Sequence, residues 1–159
     1  MEIYGGFWWR VLAYVIDTIL LNIAISIIGS ILGFGAGASL MLLDTPESVM
    51  STAILLSGLL SFVASWLYFA LMESSSMQAT LGKLAVGCIV TDQEGNRIGF
   101  GRATVRYFGK IVSSLLLGIG FIMVAFTARK QGLHDMMAGT LVWKTRDPRA
   151  VVSNEDIFR

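Results

Sequence analysis

The sequence predicts an all-α membrane protein: two long transmembrane helices, a third apolar region, and a small cytoplasmic β-hairpin. Three observations carry this reading. Hydrophobic residues fill 55% of the 159 positions and charged residues only 14%, against roughly 25% charged in an ordinary soluble domain. The apolar residues gather into long stretches, as segments solvated by lipid require. Lysine and arginine are missing from one connecting segment and crowded into others, which is how a membrane chain is oriented.

Residues 7–33 form the first predicted span, broken only by Arg10, Asp17, Thr18, Asn22, Ser26 and Ser30. At ~1.5 Å per residue it exceeds the ~30 Å hydrocarbon core. Glu2 precedes the first arginine, and no short apolar core runs into a small-residue cleavage site, so the segment is expected to be a retained helix rather than a signal. Tyr4, Trp8 and Trp9 stand at its start, where aromatic rings favour the headgroup level. Residues 33–48 read as a loop containing Asp44 and Pro46. Residues 49–72 form a second span without a charge, with Trp66 and Tyr68 in its last turns. Residues 73–101 are the longest polar stretch and are expected in the cytoplasm. Ser75 and Gln78 have the spacing of a capping box and predict a short helix over 78–86. Residues 88–92 and 97–100 flank Gln93-Glu94-Gly95-Asn96, whose glycine and asparagine supply turn conformations and predict the hairpin.

The third apolar region, 102–129, admits two readings. Its apolar stretch 111–128 is long enough to cross. Gly118 and Gly120 interrupt it, each costing a helix ~1 kcal/mol relative to alanine. The alternative to a crossing is a re-entrant or short helical hairpin turning at residues 118–120. Charge favours the hairpin. The loop 33–48 has no lysine or arginine, whereas Lys83, Arg97, Arg102, Arg106 and Lys110 precede the apolar stretch and Arg129, Lys130, Lys144, Arg146 and Arg149 follow it. Short positive loops stay cytoplasmic, so both termini are expected inside, and a single crossing would put the tail outside. The chain is thus expected to be one membrane domain, 1–144, closing on a His-Asp segment at 131–144. A charged cytoplasmic tail, 145–159, follows, and the expected location is a prokaryotic plasma (inner) membrane.

Two stripes of small residues bear on helix packing. Gly29, Gly33 and Gly37 form a doubled GxxxG pattern, and Ser57, Ser61 and Ser65 recur every four residues. Helices in lipid associate through close backbone approach and hydroxyl hydrogen bonds. The stripes fit packing within one chain or the seam of a homo-oligomer.

The charges inside the apolar segments are the candidate functional residues. Arg10 and Asp17, seven residues apart, share one helical face with Tyr14 between them. An ionised group at membrane depth costs roughly 2.5–3.5 kcal/mol even on gentle insertion scales, so it requires a partner. Arg10 can snorkel toward the interface. Asp135, beside the single histidine His134, returns to the membrane face of Arg10 if the tail is inside. Arg10, Asp17 and Asp135 are therefore expected to form a charge clamp or an ion-handling group, with Tyr14, Gln78, Lys83, Arg106 and His134 in support.

Five ordered groups carry a family resemblance. They are Gly6-Phe7-Trp8-Trp9-Arg10 with Asp17; Glu73-Ser74-Ser75 with Gln78-Ala79-Thr80-Leu81-Gly82-Lys83; the acidic turn 92–95; Phe100-Gly101-Arg102-Ala103; and Leu133-His134-Asp135 with Ala138-Gly139-Thr140. Over about residues 6–144 the chain resembles the RDD family of small membrane proteins, named for one arginine and two aspartates. Gly132 departs from the alanine the pattern leads one to expect, and is expected to loosen the helix before His134. The resemblance implies a membrane-embedded protein from a family without one settled molecular function. Transport, including cation–proton exchange in some members, is one implied role. An accessory role in a membrane protein-degradation complex, as for a eukaryotic relative, is another. Two expectations follow: a transporter or cation/proton exchanger acting as an oligomer, or a non-enzymatic accessory or scaffold subunit of a larger membrane complex.

Other chemistries find little footing. Leu81-Gly82-Lys83 is not a phosphate loop, because Met77 stands where the first glycine belongs and Leu84 where a serine or threonine belongs. His134 and Asp135 lack the further ligands of a zinc site. Cys88, the single cysteine, falls in a predicted strand, and no nucleophile–base pair can be argued. No enzyme activity, cofactor, metal or nucleic-acid partner is expected. The expected partners are the lipid bilayer and either further copies of the chain or a larger membrane protein complex.

Overall fold

A computed structural model describes residues 4–31, 47–116, 119–148 and 150–151. Gly33, Gly37, Gly118 and Arg149, most of the loop 33–48 and the end of the tail lie outside the described residues. The chain forms two compact units, one built from Met1–Asp17 and Tyr68–Arg159, the other from Thr18–Leu67.

The elements in order are α1 (Phe7–Ile31), α2 (Glu47–Ser74), α3 (Leu81–Val86), β1 (Ile89–Asp92), α4 (Phe100–Leu115), α5 (Ile119–Phe126), α6 (Leu133–Ala138) and β2 (Thr140–Trp143). Helices α1 and α2 are long and apolar enough to cross a membrane. The second runs two residues beyond the predicted span at each end. Glu47 places a carboxylate in its first turn, where the helix dipole favours negative charge. The middle unit consists of the parts of α1 and α2 that carry Ile23, Ile27, Leu55 and Leu59, all exposed, as side chains meant for lipid must be.

The third apolar region is a bent pair, α4 and α5, with 103° between the helices. Gly120 does not make the bend. It lies inside α5, where a Cβ would fall 2.5 Å from Ser113 Oγ, so its small size lets α5 approach α4. Helix α4 is amphipathic in an inverted sense. Ala103, Arg106, Gly109 and Ser113 are buried, while Val105, Phe108, Ile111, Val112 and Leu115 are exposed. Its polar face points into the protein and its apolar face out.

The two-stranded antiparallel sheet is present, but its second strand is not 97–100. Strand β1 pairs with β2, from Ile89 opposite Trp143 to Asp92 opposite Thr140. The physical reason lies in burial. All four residues of β1 are buried, and a strand covered on both faces takes an equally buried partner. Thr140-Leu141-Val142-Trp143 is buried throughout, whereas Arg97 and Gly99 are exposed. The Asp92 carboxylate instead accepts from Glu94 N at 3.1 Å and Asn96 N at 2.7 Å, which turns the chain toward α4. Both sheet edges are closed: Gly5 N donates to Val142 O at 2.8 Å and Val90 N to Gln78 O at 2.7 Å. Ala79, Ile89, Leu141, Trp143 and Val151 form the small core beneath.

The short helix begins later than its predicted start at residue 78. Ser75 Oγ accepts from Met77 N rather than capping a helix. Gln78 takes a left-handed φ of 50°, and its side-chain amide donates to Val90 O at 3.3 Å. Thr80 is the N-cap of α3, and Gly87, in the left-handed region, ends it.

Gly82 sets how closely α3 approaches α1. A Cβ at Gly82 would lie 2.1 Å from the Ala13 carbonyl oxygen and 2.8 Å from Asp17 Cγ. The obstacle is backbone and cannot rotate away, so Gly82→Ala must push α3 off α1. Overpacking of this kind costs typically 1–3 kcal/mol. Thermal unfolding of the purified Gly82→Ala variant is expected to show a clearly lowered midpoint; an unchanged midpoint would contradict this packing.

Candidate functional site

The buried charges gather around Arg106, which lies on the inward face of α4 and is 2% exposed. Its Nε lies 3.3 Å from Glu73 Oε2 and its Nη2 2.9 Å from Asp135 Oδ1. Its Nη1 donates to Thr140 Oγ1 at 3.3 Å. Glu73, in the last turn of α2, also accepts from Lys83 Nζ at 2.5 Å and faces Lys110 Nζ at 3.5 Å. Asp135, in the first turn of α6, accepts through Oδ2 from Arg10 Nη1 and from Gly132 N at 3.0 Å. Arg10 also donates to the Gly5 and Lys130 carbonyls. Five elements, α1, α2, α3, α4 and α6, are thereby tied through two carboxylates.

The cluster holds more positive than negative charge. Among the described residues, Arg10, Lys83, Arg106 and Lys110 face two carboxylates, Glu73 and Asp135. Arg106 Nε and Asp135 Oδ1 lie at ion-pair distance from opposite charges but off the line of a hydrogen bond. Burial would raise the Asp135 carboxyl, but Arg106 and Arg10 outweigh it and hold the group well below the usual carboxylate range. Burial and then Arg106 push the Lys83 ammonium down to about 7, against the pull of Glu73. Burial pushes His134 down to about 3, with Asp135 opposing in part, so the imidazole is neutral near pH 7. Between about pH 3 and the ordinary histidine value, an unfolded chain binds a proton at this position that the folded chain does not. The His134 contribution therefore weakens stability as pH falls through that window. Its Nε2 lies 3.4 Å from Asp135 Oδ1, its ring centroid is 5.2 Å from that of Phe121, and its Nδ1 is buried with no hydrogen-bond partner among the described residues.

Asp17 occupies a separate site. It is 1% exposed, and its Oδ1 accepts from Tyr68 Oη at 2.7 Å and Gly82 N at 2.7 Å. Its Oδ2 accepts from Thr80 Oγ1 at 2.5 Å. Every donor here is neutral. Arg10 and Asp17, one helical face apart by two turns, thus hold different partners.

The remaining sequence-predicted residues distribute as follows. Lys83, Arg106 and His134 join the cluster. Gln78 serves the sheet edge, and Tyr14 is 58% exposed. Ser57 Oγ donates to Ile54 O and Ser61 Oγ to Ser57 O, within their own helix. Gly29 and Ser65 are half-buried in the same unit. Gly132 is not a loose point: its carbonyl accepts from Asp135 N and Met136 N, both at 3.0 Å. A Cβ there would sit 2.8 Å from the Gly120 carbonyl oxygen, so glycine permits close contact with α5. Residues that the sequence reading named without making them site candidates are Glu73, Lys110, Tyr68, Thr80 and Gly82. A usable signal existed for the first two. Glu73 is the first charge after an uncharged span, and Arg102, Arg106 and Lys110 recur at four-residue spacing on one face.

Two apolar membrane-length helices with a bent third pair, and charges sealed against one another at their base, define an integral membrane protein. The chain belongs to the RDD family, whose model matches residues 4–139. It is 40% identical over 149 residues to the uncharacterized protein YxaI of Bacillus subtilis (strain 168), covering 89% of this chain and 98% of that one. It is 28% identical over 141 residues to the uncharacterized membrane protein YteJ of the same organism, covering 87% and 80% respectively. No solved structure matches the chain significantly.

The cluster geometry ranks its members. Asp135→Ala leaves both Arg10 and Arg106 without that carboxylate, and removing one partner of a buried pair costs roughly 3–5 kcal/mol. Arg10→Ala leaves Asp135 still facing Arg106 and should cost less. Folded yield and unfolding midpoint of the two variants are expected to fall in that order; equal or reversed losses would contradict the arrangement.

Proposed function

We propose that this RDD-family protein is a non-enzymatic accessory or scaffold subunit, a small membrane platform that holds or recruits another membrane protein. The supporting observation is the pairing of its buried carboxylates. Glu73 faces three cations, Asp135 faces two and a backbone N–H, and Asp17 takes three neutral donors. A pathway for cations needs carboxylate oxygen free to replace water around the ion. Here each oxygen faces a cation or accepts a hydrogen bond, and the neighbouring charge is in cationic surplus, which repels a passing cation. The same pairing suits a rigid clamp that fixes helix positions. In this reading the sheet, α3 and the tail form the cytoplasmic base of the platform, with both termini inside.

The second reading, an oligomeric cation/proton exchanger, draws on Asp17. Its carboxylate sits within α1 with hydrogen bonds but no counter-ion among the described residues, and an intramembrane acid is a functional candidate by default. Proteoliposomes separate the two. The platform reading expects no cation-dependent proton movement from the purified wild-type chain, and migration of the chain from mild detergent extracts in a hetero-complex. Cation-driven proton flux that is abolished in Asp17→Asn, with assembly intact, would overturn it in favour of exchange.

A further inference from the structure

The charge surplus in the cluster has an outlet. Of its four cations, Arg106 and Lys83 are sealed in, and Arg10 is held by Asp135 and two carbonyls. Lys110 is different. Its side chain is 19% exposed, and its ammonium is the third and most distant cation on Glu73, at 3.5 Å. It also lies 4.4 Å above the Phe69 ring. Glu73 already holds Lys83 at 2.5 Å and Arg106 at 3.3 Å, so the Lys110 charge is only partly balanced from within. Burying net charge is costly unless a counter-charge is supplied.

The surface beside Lys110 identifies what can supply it. Lys110 stands on α4, whose outward face carries exposed Phe108, Ile111, Val112 and Leu115. That face is apolar with a cation at its border, the arrangement that matches acyl chains below an anionic headgroup. Arg102, on the same helix, is balanced by Asp92 at 3.3 Å and leaves Lys110 as the partly uncompensated charge.

We propose that the exposed edge of the charge cluster, centred on the Lys110 ammonium, binds the phosphate of an anionic phospholipid whose chains lie along the apolar face of α4. The lipid completes the charge balance around Glu73 and fixes the depth of α4 in the bilayer. This inference stands whether the chain serves as a platform or as an exchanger.

The test is thermal unfolding of the full-length chain in nanodiscs of phosphatidylcholine alone and with phosphatidylglycerol. Wild-type protein should gain about 5 °C from phosphatidylglycerol. Lys110→Gln should lose that gain, while Arg102→Gln, which alters an exposed and separately paired charge, should keep it. As a measurement independent of any variant, wild-type protein released from mixed-lipid discs should retain phosphatidylglycerol over phosphatidylcholine. Equal stability of the wild type in both lipids, a full gain in Lys110→Gln, or an equal gain from inorganic phosphate in phosphatidylcholine discs would each overturn the proposal.

Discussion

Arg106 stands between Glu73 and Asp135, and the rest of the first unit is arranged around that bridge. A guanidinium nearly sealed from solvent requires carboxylates, and each carboxylate then collects its own further cation. Glu73 brings Lys83 and Lys110 to the end of α2, and Asp135 brings Arg10 from α1. Arginine suits the position because its planar fork stays charged and presents several donors at fixed angles, which a lysine ammonium does not. The two carboxylates are the scarce members: removing either one leaves its cations without that counter-charge in low dielectric. Stability in such a network comes less from net attraction than from the cost of leaving a member alone.

Close backbone approach is the second condition. A cluster this dense needs α3, α5 and α6 near their neighbours, and glycine supplies the room at Gly82 against Ala13, Gly109 against His134 and Gly120 against Ser113. The result is an inverted packing in which polar faces turn inward and apolar faces outward. Helix α6 repeats the pattern of α4, with His134 and Asp135 buried and Met136 and Met137 exposed. In water such a surface would be a liability. In lipid it is the stable arrangement, because the bilayer solvates the apolar side while the protein solvates its own charges.

Long-period features of this fold were legible in the sequence, and pairings across the chain were less so. Two uncharged or nearly uncharged runs announced α1 and α2, and the basic residues on both sides of the third apolar stretch spoke against one straight span there, where the structure has the bent pair α4 and α5. The strand at 89–92 was readable from its residues, but its partner was not. A turn sequence at 93–96 pointed to the nearest neighbour, while two-sided burial selected a strand some fifty residues away. In the site, the acid at 135 and the arginine at 10 were legible because charges in apolar surroundings demand partners. Asp17, grouped with them in the sequence, is buried but holds partners of its own, because spacing on a helix reports a shared face but not which neighbour covers it. Lys83, Arg106 and Lys110 illustrate a related limit. Counted by type they weigh on membrane orientation, yet the fold uses all three as partners of Glu73.

Glu73 and Arg106 form one energetic unit at the centre of the cluster. A double-mutant cycle with Glu73→Gln, Arg106→Gln and the double variant, read by equilibrium unfolding in a fixed detergent, measures it directly. The expected coupling is roughly 1–3 kcal/mol, the range for residues sharing one network, with the double variant more stable than the sum of the single losses allows. Additive losses, within about 0.5 kcal/mol, would contradict it.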